Sequence, residues 1–185
     1  MEDYNKIIES LGVKFIKSRN IRILQPIRIK NFYDVENTLL ILYNGEVSFG
    51  EEAVHAEVGD MLFIPGGKML SFTYGNADKP KVVSNEEFMT HRELYFEPNL
   101  DSARIGQVEN SFSLVAFEAK VFDSVNFFTS LDIPPFLIKR FNNARLEIIY
   151  EPPYKKRKSP SLVNAYFSTF LVSISISTSL NGSHG

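Results

Sequence analysis

Between Lys14 and Tyr74 the chain is interrupted by Asn44-Gly45, Gly50, Gly59-Asp60, Gly66-Gly67 and Gly75-Asn76, and Gly45, Gly59, Gly66 and Gly75 succeed one another at seven to fourteen residues. Glycine reverses a chain because it accepts positive φ without steric cost, so punctuation this dense suits short strands and turns. The runs in between are apolar or β-branched, among them Ile21-Arg22-Ile23-Leu24, Thr38-Leu39-Leu40-Ile41-Leu42-Tyr43 and Glu46-Val47-Ser48-Phe49. The pattern predicts an all-β sandwich or barrel, with Asn44-Gly45 closing a tight hairpin.

Elsewhere the texture differs. Asp3 is placed to cap a short helix carrying Ile7, Ile8 and Leu11, with Gly12 at its C-terminal end, which predicts a peripheral amino-terminal arm. Residues 76–110 are polar and charged and break the strand rhythm, as expected of a long excursion between two halves of one β domain. Strand character returns over Phe112–Phe122. Asp123 then predicts a turn of helix through Leu131, stopped by Pro134-Pro135, and Phe136-Leu137-Ile138 predicts another strand. Asn142 or Asn143 is placed to cap a helix with Leu146, Ile149 and Tyr150. Beyond the basic run Lys155–Lys158, Leu162, Ala165, Tyr166, Thr169, Phe170 and Ser173 recur at helical spacing. The expected division is residues 1–140 as the β unit with its arm and 141–180 as a helical segment.

The chain has 185 residues, enough for one domain of ordinary size, and 44% of them are apolar, which supplies a core. A formal charge of −2 offers no global field for a phosphate backbone. The absence of Cys excludes disulfides, thiolate metal sites and cysteine nucleophiles. The acidic start Met1-Glu2-Asp3-Tyr4 is unlike a secretory signal, and the apolar run 165–180 contains seven Ser or Thr. The expectation is a cytoplasmic protein without a membrane helix.

Catalytic signals are scarce. His55, His91 and His184 are the only histidines, and none stands at metal-ligand spacing to another, so no metal and no cofactor is expected. No Gly-x-Ser-x-Gly elbow, phosphate-binding loop or dinucleotide fingerprint occurs. The four cations Lys155–Lys158 lack interleaved aromatics and suit a solvated linker. What remains is aromatic: Tyr43, Phe49, Phe63, Phe72, Tyr74, Phe112 and Phe117 lie on predicted strands, where alternate rings either fill an interior or frame a cavity. Tyr74 is the favoured pocket residue, because a phenol at a strand end beside Gly75 offers both an apolar face and a hydroxyl.

The segment Gly59-Asp60-Met61-Leu62-Phe63-Ile64-Pro65-Gly66-Gly67 resembles the cupin signature, in which a strand climbs from an acidic turn to a Pro-Gly corner. Metal-binding cupins carry a His-x-His pair and a Glu before that turn; Phe49–Val58 holds only His55, which argues against a metal enzyme. More narrowly, Val121–Phe128, Leu131-Asp132-Ile133-Pro134 and the helical stretch from Ser161 are similar to the amino-terminal effector-binding and dimerisation domain of AraC-type transcription regulators. The resemblance implies a mainly β fold, a cupin-like double-stranded β-helix or jelly-roll barrel followed by C-terminal α-helices. It also implies a small-molecule effector, such as a carbohydrate, in the barrel, a homodimer through the terminal helices, and DNA contact only through a C-terminal domain that this chain is expected to lack. Position by position, Tyr74 matches a pocket tyrosine of the arabinose-responsive member, and Phe112 and Leu114 fall at contact positions but differ in type. The candidate ligand residues are thus Tyr74, Phe72, Phe112, Leu114, Phe49 and Tyr43. The candidate dimerisation residues are Leu162, Tyr166, Thr169, Phe170 and Ser173. The alternative is a stand-alone cupin enzyme, an isomerase, epimerase or dioxygenase, using Glu46, Glu57 and Tyr74.

Overall fold

The computed structural model describes residues 9–139 and the backbone of the strand Glu147–Tyr150. Thirteen strands occur there, and the fold is mainly β. One sheet has the order β13-β12-β6-β3-β10-β1-β9 and is antiparallel throughout; it comprises β1 (Leu11–Ile23), β3 (Asn37–Asn44), β6 (Met61–Ile64), β9 (Phe96–Pro98), β10 (Ser111–Val121), β12 (Phe136–Lys139) and β13 (Glu147–Tyr150), with β11 (Val125–Asn126) added to β10. The second sheet runs β5-β4-β7-β2-β8 and comprises β2 (Ile27–Tyr33), β4 (Val47–Phe49), β5 (Val54–Ala56), β7 (Met69–Tyr74) and β8 (Lys81–Ser84), with β2 and β8 parallel. The sheets form no closed barrel among the described residues.

Period-two alternation places the core. Along β1, Ile21 and Ile23 are buried while Arg22 between them is exposed, and in the first sheet Leu40, Leu42, Leu62 and Phe112 share that inner face. They meet Ile27, Ile29, Val47, Phe49, Phe72 and Tyr74 of the second sheet in one cluster. The outer face of the first sheet has an aromatic cluster of its own. Phe63 lies 4.6 Å from Phe128, 5.0 Å from Phe136 and 6.2 Å from Phe117 between ring centroids, and the short helix α2 (Phe127–Ser130) brings Phe128 there.

The corners explain their residues. β6 belongs to one sheet and β7 to the other, and Pro65-Gly66-Gly67 carries the chain across. A Cβ on Gly66 would collide with the backbone carbonyl of Val35, and Gly67 adopts φ +76°. Asn37, fully buried, accepts from the Gly66 amide at 3.0 Å and donates to the Phe117 carbonyl at 3.3 Å, so one side chain ties the corner to β10. At the other end of β6, buried Asp60 accepts from the Glu57 amide and pairs with Lys139 at 2.8 Å.

Several expectations are corrected. Asn44-Gly45 closes no hairpin: β3 pairs with β6 and β10, β4 pairs with β5 and β7, and the turn instead passes the chain between sheets. Gly45 has φ +89° and packs so tightly against Asn110 that any Cβ would collide there. Leu11 and Gly12 begin β1 and do not end a helix, because pairing with Val121 and Lys120 outweighs the local cap signal. The helix after β10 starts later than Asp123, with Asn126 as its cap accepting from the Thr129 amide. Ile149 and Tyr150 lie on β13, paired with β12, and not on a helix. The excursion over residues 76–110 carries structure of its own: β8, the helix α1 (Asn85–Thr90), a 3₁₀ turn Arg92–Leu94, β9 and a second 3₁₀ turn Ile105–Gln107. Ile7 and Ile8 of the arm, and the stretch carrying Leu162, Tyr166, Thr169, Phe170 and Ser173, lie outside the described residues.

Candidate functional site

The inner face of β1 changes character along its length. Ile23 and Ile21 are buried, and the next two positions in phase are Arg19 and Lys17. Their β10 partners change in step: Phe112 faces Ile21, Leu114 faces Arg19 and Ala116 faces Lys17. On β3 and β6 the neighbours of Ala116 are Thr38 and then Ile64. Small side chains at 116 and 38 leave space where Phe112 and Leu42 fill it, and a cavity of about 210 Å³ opens there. A water in the liquid takes about 30 Å³, so the space suits a small organic molecule.

Two β-bulges shape this end. Between Ile29 and Phe32 one extra residue enters β2, with Asn31 at φ +54°. Without it position 31 would continue the inward phase of Ile27 and Ile29; with it Phe32 takes that place and lines the cavity. A second bulge falls between Phe15 and Lys17 on β1. The remaining wall comes from the segment after β8. Ser84 caps α1 by accepting from the Glu87 amide, α1 supplies Phe88 and Met89, the turn after it supplies Arg92, and β9 supplies Phe96.

Tyr74 sits among rings, 5.3 Å from Phe112 in a stacked arrangement, 5.0 Å from Phe96 edge to face and 5.7 Å from Phe72. It is buried, and among the described residues its hydroxyl has no hydrogen-bond partner. Burial raises the pKa of the phenol and the Arg92 charge partly opposes that rise, so the group is a neutral donor. Arg92 is itself shifted down, first by burial and then by the like charge of Arg19, with Tyr74 and Asp34 acting the other way. Neither Arg19 nor Arg92 has a salt-bridge partner among the described residues. Lys17 Nζ, by contrast, stands 2.7 Å from Glu36 Oε2; the contact lacks hydrogen-bond geometry, and that buried oxygen has no hydrogen-bond partner.

Of the expected ligand residues, Tyr74 and Leu114 line the cavity. Phe72, Phe112 and Phe49 are core residues that do not line it, and Tyr43 lies on the opposite face of β3 from Leu42. Glu46 is exposed with Asn76 at 3.3 Å, and exposed Glu57 lies 3.7 Å from Lys139. His55 is exposed on β5, and His91 is exposed at the end of α1. Among the described residues no group of three or more His, Asp or Glu is placed to hold a metal ion, and no helix is long and apolar enough to cross a membrane. The charged wall was missed by reasoning from aromatics. A signal for Arg19 existed, since it stands two and four residues before Ile21 and Ile23; Arg92 had none, because its segment lacks periodicity.

Comparison with family models, curated proteins and solved structures finds no match.

Proposed function

We propose that this chain is the ligand-sensing and dimerisation domain of an AraC-type transcription regulator, a cupin-like β unit that binds a small organic effector without a metal. The observation that carries the reading is the cavity between the two sheets, walled by Phe32, Tyr74, Phe88 and Phe96 and edged by Arg19 and Arg92, which have no salt-bridge partner among the described residues. A fold selected for stability alone gains by filling such a space and pairing such charges. Two further features agree: the Pro65-Gly66-Gly67 corner that suggested a cupin does join the sheets, and Tyr74 lies at the cavity. An enzyme of the same fold would draw on Glu46, Glu57 and Tyr74; only Tyr74 reaches the cavity, and its raised pKa makes it a poor base near neutrality. Effector action then requires a ligand that favours one arm or subunit arrangement over another.

Thermal melting of the full chain against a panel of small organic molecules tests this. A ligand at a hundred times its Kd stabilises by about 2.7 kcal/mol, which for a chain of this size raises Tm by roughly 5–10 °C. Ala116→Leu, which fills the space beside Thr38, should abolish the rise while leaving the circular dichroism spectrum unchanged. A rise that survives Ala116→Leu would place binding elsewhere and overturn the assignment.

A further inference from the structure

We infer that the cavity takes an organic monoanion, its carboxylate held between Arg19 and Arg92 and its apolar body against Tyr74, Phe88 and Phe96. This rests on the reading of the cavity as a ligand site and specifies what enters it.

Three cations and two carboxylates reach the cavity: Lys17, Arg19 and Arg92 against Asp34 and Glu36. Lys17 and Glu36 neutralise one another at 2.7 Å. Asp34 turns a carboxylate oxygen toward the Glu36 amide, at 3.3 Å, and acts on Arg92 only through its field. Arg19 and Arg92 against Asp34 leave one surplus positive charge, which a monoanion neutralises and a dianion overshoots. The two guanidiniums come from separate elements, β1 and the turn after α1, and they are close enough for Arg19 to lower the pKa of Arg92. Two like charges facing one partly buried space repel each other, and an anion between them turns repulsion into two charge-assisted hydrogen bonds. Guanidinium is suited to this because its planar fork matches a carboxylate. The neutral Tyr74 hydroxyl is a third donor without a partner among the described residues. Apart from Thr38 the rest of the wall is apolar, so the body of the ligand gains from burial while its charge remains paired.

Isothermal titration of the full chain with phenylacetate, cyclohexanecarboxylate, their two primary amides and phenyl phosphate tests the inference. Each carboxylate should bind at least tenfold more tightly than its amide and more tightly than the phosphate dianion. Arg92→Gln and Arg19→Gln should each weaken carboxylate binding tenfold or more and leave the amides unchanged, while Arg92→Lys falls between, and circular dichroism confirms that each variant folds. Amides that match the carboxylates overturn the anion inference and leave the cavity reading standing. Phosphate binding more tightly overturns the monoanion assignment. Carboxylate binding that persists in Ala116→Leu, or binding of none of the five probes at millimolar concentration, overturns both.

Discussion

Tyr74 shows how a single position joins packing to recognition. Its ring belongs to the core, in contact with Phe72, Phe96 and Phe112, and the same residue lines the cavity. Deprotonation would place an anion among rings, so the folded chain holds the phenol pKa above its ordinary value. In the unfolded chain the same phenol ionises near pH 10. The contribution of Tyr74 to stability is therefore complete below about pH 10 and is lost as pH rises toward the folded pKa, because the unfolded state releases its proton first. Urea denaturation at pH 8, 10 and 11 should show stability falling more steeply above pH 10 in the wild type than in Tyr74→Phe; parallel slopes would contradict the burial of the ionising group. That Tyr74 belongs to a pocket was legible because a phenol beside a glycine turn has few structural reasons to be there. Arg19 and Arg92 were harder to find. An arginine at the rim of a cavity looks in sequence like one on any other surface, and only the phase of Arg19 with Ile21 and Ile23 distinguishes it.

α1 is six residues long, too short to hold together in isolation. It persists because Phe88 is buried against Phe96 at 5.2 Å and Phe32 at 6.3 Å, and because Ser84 caps it. Phe88→Ala should cost about 3 kcal/mol, the low end for a buried ring because the adjoining cavity lets neighbours relax. Hydrogen exchange should then quicken in residues 81–95 before the central strands β3 and β10, and uniform quickening would show that α1 is not a separate unit. This segment reads as a loop in sequence because it has few apolar residues and no period. Its aromatic side chains nevertheless have places: Phe88 and Phe96 at the cavity, and Tyr95 buried with its hydroxyl 2.7 Å from Lys81. The bulge at Asn31 was equally invisible, since an extra residue reveals itself only against the partner strand that it slips past.

The chain divides into a unit ending at Glu151 and a second one, Pro152–Gly185. The described core, from Ile21 to Leu137, lies wholly within the first. If the expected helix pairs two subunits, light scattering of a chain lacking Ser161–Gly185 should report a monomer where the full chain is a dimer. A truncated dimer would assign assembly to the β unit instead. Much of the architecture follows from local physics. Alternation of apolar and polar residues requires strands, glycine at steric or positive-φ positions requires corners, and both were readable from Thr38 to Tyr74. Which strands become neighbours is not a local property: Asn44-Gly45 suits a hairpin equally well, yet β3 gains more by lying between β6 and β10 in the first sheet while β4 joins the second. The cavity has the same origin. Ala116, Thr38, Arg19 and Arg92 are unremarkable one at a time, and they face a common space only because register and two bulges bring them there. Local sequence determined that this protein is built of strands, because turn and strand preferences act over a few residues. Tertiary structure alone decided where the strands leave room and which charges border it, because those depend on contacts between residues far apart in the chain.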